Sequence, residues 1–375
     1  RIADINASMK QYLADGVLVS QGPGFVLVDR KTSHVPSRKG LIVALDLEAY
    51  DYRPGSKTLI RTTEGTIVDR LPPRIRVREN AAIELPHIMV LIDDPEQTVI
   101  EPLRQAELEK IYDFELMQGG GHLRGWRVAQ PELLEQVASA LGALAVKERF
   151  QKRYEVNDNE VMLYAMGDGN HSFATAKAIW EQLKSAASDP ADIMTHPARY
   201  ALVELVNLHD PGLEFEAIHR VVFDVSVDDL LARAEAYYQA VGTPCIVAEY
   251  PGLVAATAAV AAAGTAHAIA FVTAQGYAVL RIDQPSLTLE VATLQNFLDE
   301  YLKSRSKARI DYIHGDDAVT RLGSQQGNIG FYLPSISKHD LFRTIVRDGA
   351  LPRKTFSMGE ADEKRFYLEA RRITR

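Results

Sequence analysis

The segment Val161-Met-Leu-Tyr-Ala-Met-Gly-Asp-Gly-Asn-His-Ser-Phe-Ala-Thr-Ala-Lys-Ala-Ile-Trp180 limits what this chain can fold into more than any other. Five apolar residues and a tyrosine, Val161 to Met166, form a short buried-strand signal. Gly167-Asp168-Gly169-Asn170 is a turn, because two glycines and two residues that tolerate left-handed backbone sit together. Ser172 onward is rich in helix formers, with Phe173, Ala176, Ile179 and Trp180 on one stripe. The pattern predicts strand, tight turn, helix. It places Asp168, Asn170, His171 and Ser172 at the first turn of the helix, where unpaired N–H groups and the helix dipole favour an anion. The competing reading is a well-capped helix behind a glycine turn, with no ligand.

Bulk properties exclude several classes. With 375 residues the chain has room for two or three domains. A net charge of −8 argues against nucleic-acid binding, and no basic block with interleaved aromatics occurs. The basic residues near the C-terminus, Lys364-Arg365 and Arg371-Arg372, alternate with glutamates and read as a solvated face. A single cysteine, Cys245, leaves no intrachain disulfide and no paired-cysteine zinc site. It fits a reducing compartment, and a cytoplasmic location is expected. No apolar run is long enough to cross a membrane, so no membrane partner is expected. No signal peptide opens the chain, which begins at Arg1 rather than methionine and leaves an upstream segment open.

Strands and helices alternate without an internal repeat, which predicts an α+β fold of mixed sheets flanked by helices. Ile2 to Asp15 reads as a helix, and residues 24–30 and 39–46 as two paired strands. Residues 59–70 read as a strand running into a loop, and Pro72-Pro73 as a stop for any regular element. Residues 87–94 are a buried strand, Pro95 to Ile111 a helix, 116–127 a glycine-rich hairpin, and Pro131 to Phe150 one long helix. Composition shifts at Val225. The expected organisation is an N-terminal α/β region over 1–150, a site-bearing region over 151–224 and 283–375, and an inserted structural subdomain over 225–282. Arg365 to Ile373 is expected to close the fold as a strand.

Other segments carry chemistry-bearing residues. Arg61-Thr62-Thr63-Glu64-Gly65-Thr66 offers a bidentate cation for phosphate or carboxylate and a carboxylate general base, or else an exposed strand edge with Arg61 and Glu64 paired to each other or to nearby Arg70 and Arg74. Arg353 and Lys354, in Leu351-Pro-Arg-Lys-Thr-Phe-Ser-Met-Gly359, can clamp an anion or stand solvated. Gly119-Gly-Gly-His122 matches no nucleotide fingerprint and reads as a hairpin tip. His171, His209, His219 and His314 each lie near an acid, but none shows the spacing of a zinc motif.

Five stretches together resemble the bacterial and archaeal family known as domain of unknown function 1015. They are residues 61–66, 84–95, 167–177, 206–213 and 351–359, and the likeness spans essentially the whole chain. The family's common Asp-Gly-His-His-Arg reads Asp168-Gly169-Asn170-His171-Ser172 here. That wider pattern resembles the Gly-x-His-Arg phosphate site of the ParB/sulfiredoxin-like superfamily, which includes free serine kinases that use a nucleotide. The resemblance implies that Gly169, His171 and Ser172 hold phosphate. Ser172 replaces the arginine, so a cation such as Arg61 or Lys354 would have to come from elsewhere.

The expected function is therefore a small-molecule phosphotransferase, most concretely a free L-serine kinase with a nucleotide or pyrophosphate donor. Asp168, Glu64 and His171 are its expected proton-handling groups. Arg61, Thr62, Gly169, Asn170, Ser172, Arg353 and Lys354 are its expected binding groups. Mg²⁺ is the expected cofactor, with Asp168 as its protein ligand and substrate phosphates supplying the rest. A small-molecule substrate is the expected partner, and oligomeric state stays open, a homodimer included. The alternatives are a non-catalytic phosphometabolite sensor and a metal-dependent hydrolase.

Overall fold

The computed structural model describes residues 1–359 and 366–374. They divide into two compact units. The first holds Arg1–Glu214, Ile345–Ala350 and the described part of Met358–Arg375; the second holds Phe215–Thr344 and Leu351–Ser357. Residues 225–282 thus lie in a unit that also includes 215–224 and 283–344. Lys364 and Arg365 fall outside the described residues.

Strands of the first unit are β1 (Phe25–Lys31), β2 (Arg38–Asp46), β3 (Ile60–Arg61), β4 (Ile83–Glu84), β5 (Met89–Ile92), β6 (Glu109–Glu115), β7 (His122–Val128), β8 (Tyr164–Asp168) and β9 (Tyr200–Asn207). Eight of them form one sheet in the order β3-β8-β5-β9-β2-β1-β7-β6. The pairs β3/β8 and β5/β9 are parallel and the other neighbours antiparallel, so the sheet is mixed. Its helices are α1 (Ile2–Ala14), α2 (Leu71–Arg78), α3 (Pro131–Leu144), α4 (Lys147–Tyr154), α5 (Asn170–Ala186) and α6 (Pro190–Ile193). The central strands read as near-continuous apolar runs because both faces are covered: Val90, Met166, Val203 and Leu205 are fully buried. Phe173 and Trp180 of α5 join the same core, which places the stripe predicted from residues 172–180 against the sheet.

The second unit is built on β10 (Phe215–Ala217), β11 (His219–Phe223), β12 (Cys245–Tyr250), β13 (His267–Thr273), β14 (Gly276–Ile282), β15 (Arg309–Ile313), β16 (Ile329–Tyr332) and β17 (Phe356–Met358), of which the last residue, Met358, is counted in the first unit. Six of them make a sheet in the order β12-β14-β13-β16-β11-β15, antiparallel throughout. Its helices are α7 (Val227–Ala240), α8 (Leu253–Ala261), α9 (Glu290–Lys303), α10 (Asp316–Gly323) and α11 (Leu341–Asp348), the last running on into the first unit. Ala256 of α8 and Val319 of α10 pack on Val221, Ala270 and Val272. The α+β class is as expected. The closing strand is only β18 (Arg371–Arg372), in the first unit, where Arg371 pairs with Glu84 of β4.

Three local expectations are corrected. Pro72 and Pro73 do not stop structure; they open α2 at its first positions, where a missing N–H costs nothing and the fixed φ suits a helix. Residues 95–111 form a turn, a short 3₁₀ segment (Glu101–Gln105) and the start of β6, not a helix. The Asp94 carboxylate captures the N–H groups of Thr98 (2.6 Å) and Val99 (3.0 Å), a local competitor of helical bonding. The long helix over 131–150 is two helices, with Val146 in extended backbone between α3 and α4.

Gly323 and Gly330 meet where α10 crosses β16: a Cβ on Gly323 would lie 2.6 Å from the Gly330 nitrogen and 2.8 Å from its Cα. Gly323→Ala is expected to destabilise by about 1–3 kcal/mol through forced backbone displacement. Gly142→Ala, inside α3 with open space around it, is expected to stabilise by about 0.5–1 kcal/mol. Chemical denaturation of both variants measures the two effects.

Candidate functional site

The turn predicted from residues 167–170 is built by two different glycine devices. Val90 faces Met166 and Met89 faces Asp168, so Gly167 is an extra residue, a bulge in β8. A side chain there would meet the Met358 Cε at 2.9 Å and the Leu91 Cγ at 3.2 Å. Gly169 then takes left-handed backbone (φ 88°, ψ 21°) as the residue before α5. A Cβ on it would come 3.1 Å from the Ile88 Cα. The bulge and the left-handed step together swing the chain from strand into helix within three residues.

The helix therefore starts at Asn170, two residues before the predicted start. Its first internal bond runs from the Phe173 N–H to the Gly169 carbonyl (3.0 Å), so the N–H groups of Asn170, His171 and Ser172 have no acceptor within the helix. The Asp168 carboxylate accepts the Gly169 N–H at 2.7 Å. Residues 167–172 are all half-buried, neither sealed in the core nor fully solvated.

The loop after β3 closes over this turn. β3 lies parallel beside β8, Arg61 opposite Ala165, which carries residues 62–67 to the tip of α5. The Thr62 hydroxyl lies against the Glu64 carbonyl and the Asn170 Oδ1, the latter at 2.8 Å. The buried Thr63 hydroxyl donates to the Met166 carbonyl at 2.6 Å. The Ile67 N–H donates to His171 Nε2 at 3.2 Å. That bond requires an unprotonated Nε2. Burial pushes the His171 pKa below its ordinary value, and the nearby Arg74 and Arg70 guanidinium groups push it further down.

The predicted residues thus fall into three groups. Asp168, Gly169, Asn170, His171 and Ser172 are joined by Thr62 and Glu64 in one loop-and-turn assembly of the first unit. Arg61 belongs to the same unit, but its buried guanidinium donates to the carbonyls of Thr58 (3.2 Å) and Glu160 (2.6 Å), tying β3 to the segment before β8. Arg353 and Lys354 belong to the second unit. There Arg353 bonds Tyr312 and, at 2.9 Å, Asp299. The carbonyls of Arg353 and Lys354 are held by the fully buried Arg220, at 3.0 and 2.8 Å.

Arg70 and Arg74 were read only as surface charge partners, not as site residues. Their signal was present: two arginines four apart around a proline pair are one helical turn apart if the prolines start a helix rather than end one. Helix α2 packs beside α5, and the field of both guanidinium groups reaches His171.

Two other stretches, 84–95 and 206–213, meet in the scaffold. Asn207 Nδ2 donates to the Asp94 carbonyl (2.8 Å) and to Glu101 (2.9 Å). Asp93 accepts both arms of Arg153 at 2.6 Å, the Tyr154 hydroxyl at 2.5 Å and His209 at 2.6 Å. Burial works against its ionisation, yet these donors hold Asp93 below the usual carboxylate range. The network joins β5 to α4 and β9, and leaves the Glu101 Oε2 buried without a hydrogen-bond partner. Among the described residues, no group of three or more His, Cys, Asp or Glu side chains can hold a metal ion.

The mixed sheet and its clipped turn define an α+β protein with a polar, N–H-rich helix tip. The chain belongs to DUF1015, a family of proteins of unknown function, whose model matches residues 1–301. No curated protein matches it. Its fold is similar to that of a free serine kinase variant in complex with ADP, at 11% identity, 89% of this chain and 92% of that one, with a TM-score of 0.46. It is also similar to a conserved hypothetical protein from Pyrococcus furiosus (14% identity, 89% and 95% covered, TM-score 0.42). SbnI from Staphylococcus aureus, C-terminally truncated, is similar at 10% identity (85% and 83% covered, TM-score 0.41). Among the described residues, no helix is long and apolar enough to cross a membrane.

Two outcomes test the turn. Gly169→Ala forces a side chain into left-handed backbone and is expected to cost about 1–2 kcal/mol. Gly65→Ala, with nothing within 4 Å of the added carbon, should be near neutral in the same denaturation assay. The His171 imidazole should titrate below the ordinary histidine value of 6.5 in NMR. Between the lowered folded value and 6.5 the unfolded chain binds more protons than the folded one, so His171 adds stability as pH rises through that window. In His171→Gln this part of the pH dependence should vanish.

Proposed function

We propose that the Gly169 turn handles phosphate in a small-molecule phosphotransferase, in its most concrete form a free L-serine kinase. The observation that carries the reading is the clip between residues 62–67 and the first turn of α5. It places hydroxyl, amide, imidazole and carboxylate groups beside three helix N–H groups that have no acceptor within the helix. Such a tip favours an anionic ligand, and fixed donors stabilise charge as it develops on a transferring phosphoryl group.

In this reading the N–H groups of Asn170, His171 and Ser172 receive phosphate oxygens, and the Asn170 and Thr62 side chains shape the pocket's edge. Arg70 and Arg74 supply the positive charge that Ser172 lacks. His171 positions rather than shuttles protons: its Nε2 is occupied by the Ile67 N–H, and its Nδ1–H remains a donor. Asp168 or Glu64 takes the proton of the substrate hydroxyl as its oxygen bonds to phosphorus and the donor's bridging oxygen departs. A single carboxylate suits Mg²⁺ held mainly by donor phosphates and water, so Asp168 is the residue that would touch it; bound there, the ion would offset charge on the donor. The donor is a nucleotide or pyrophosphate.

Purified protein incubated with L-serine, Mg²⁺ and ATP, ADP or pyrophosphate should form phosphoserine, read by mass spectrometry. Asp168→Asn and Glu64→Gln single variants identify the base: the one that carries it should lose roughly 100-fold or more of the rate. Absence of phosphoserine with every donor overturns the kinase reading. A thermal shift with phosphoserine under those conditions would then mark a sensor using the same turn.

A further inference from the structure

A second constellation lies in the first unit, four strands along the sheet from β8. Antiparallel register sets Lys39, Asp29 and Arg124 side by side on β2, β1 and β7. The neighbouring row on the same face is Leu41, Leu27 and Trp126. Directly opposed residues share a face, so a charged row and an apolar row run next to each other across three strands. The segment over 103–108 covers them and leaves a cavity of about 250 Å³, lined by the charged row and by Leu27 and Trp126 of the apolar row, with Leu103, Arg104 and Leu108.

The charges in this cavity do not cancel. Asp29 is the one carboxylate in the lining, and it is used: it accepts the Ser37 hydroxyl at 2.6 Å and Arg124 Nη2 at 2.7 Å. Lys39, only 7% exposed, donates its ammonium to the Ser37 hydroxyl at 2.9 Å. The Arg124 Nε is buried with no hydrogen-bond partner, and its guanidinium lies 5.9 Å from the Trp126 ring centre. Arg104 is exposed at the rim. Three cations face one carboxylate, with an unused buried donor beside an indole and leucines. Lys39 is buried, whereas the Arg124 side chain is 41% exposed and Arg104 exposed, so an anion entering from the rim meets accessible cations before the buried one. A carboxylate there would pair with charge that Asp29 alone does not balance.

We propose that this cavity binds a small organic carboxylate with a flat apolar ring, its carboxylate between Lys39, Arg124 and Arg104 and its ring against Trp126 and Leu108. The volume equals about eight waters' share of liquid, less than a drug-sized ligand needs, so the ligand is compact. No nucleotide of ordinary size fits, which separates this cavity from the turn at Gly169.

The probe is 4-hydroxybenzoate, followed by ligand-observed NMR and calorimetry on the full chain, with 4-hydroxybenzyl alcohol and inorganic phosphate as controls. Expected is saturable binding of the carboxylate, at least tenfold weaker binding of both controls, and about tenfold loss of affinity in Lys39→Met or Arg104→Ala, the cost of a charged hydrogen bond. Arg104 is exposed, so its variant keeps the fold even if Lys39→Met does not; thermal melts verify this. The proposal is overturned by absence of binding at millimolar ligand, by affinity that Arg104→Ala and a folded Lys39→Met leave unchanged, or by controls that bind as well as the carboxylate.

Discussion

Two glycines with different tasks decide what the first unit can present to a ligand. Gly167 adds a residue to β8 without adding a side chain where Met358 and Leu91 already stand. Gly169 turns left-handed against Ile88 and lets α5 begin at once. Without that pair the helix tip would sit at another height above the sheet, and Thr62, Thr63 and Ile67 would have nothing to hold. With it, three hydrogen bonds from one loop fix the tip's surroundings while its own N–H groups keep no helical acceptor. The site follows from backbone geometry first and side-chain chemistry second.

Charge placement follows the same logic. A helix tip favours anions, and the first turn of α5 carries no cation of its own: residues 170–172 are Asn, His and Ser. Positive charge lies one helix away: Pro72 and Pro73 start α2, and Arg70, just before it, and Arg74, within it, come into range of His171. Their field and burial both disfavour a second proton on the imidazole, so it keeps an acceptor nitrogen for Ile67 and a donor on its other side. The cations that look most available in sequence serve elsewhere. Arg61 ties strands together, and Arg353 is bound within the second unit by Asp299 and Tyr312.

Much of this was legible in the sequence, for identifiable reasons. The strand–turn–helix at 161–180 combined an unbroken apolar run, adjacent glycines and a 3.6-residue stripe, three signals that agree. Residues 95–111 were misread because Val99, Ile100 and Leu103 do fall at helical spacing, yet a side-chain carboxylate four residues upstream took the N–H groups a helix needs. Pro72-Pro73 were misread because proline stops a helix inside it and starts one at its edge. Nothing local marks which applies. The row of Lys39, Asp29 and Arg124 was invisible for another reason: it exists only through the register of three strands, two of them far apart in sequence.

The central claim is that an anion docks on the tip of α5, and the backbone amides there report it most directly. In a two-dimensional ¹H–¹⁵N titration of the labelled chain with phosphoserine, the amides of Asn170, His171 and Ser172 should move downfield together and saturate, with Ile67 following through its bond to His171. Saturable shifts confined to other parts of the chain, or none at millimolar ligand, would contradict the account.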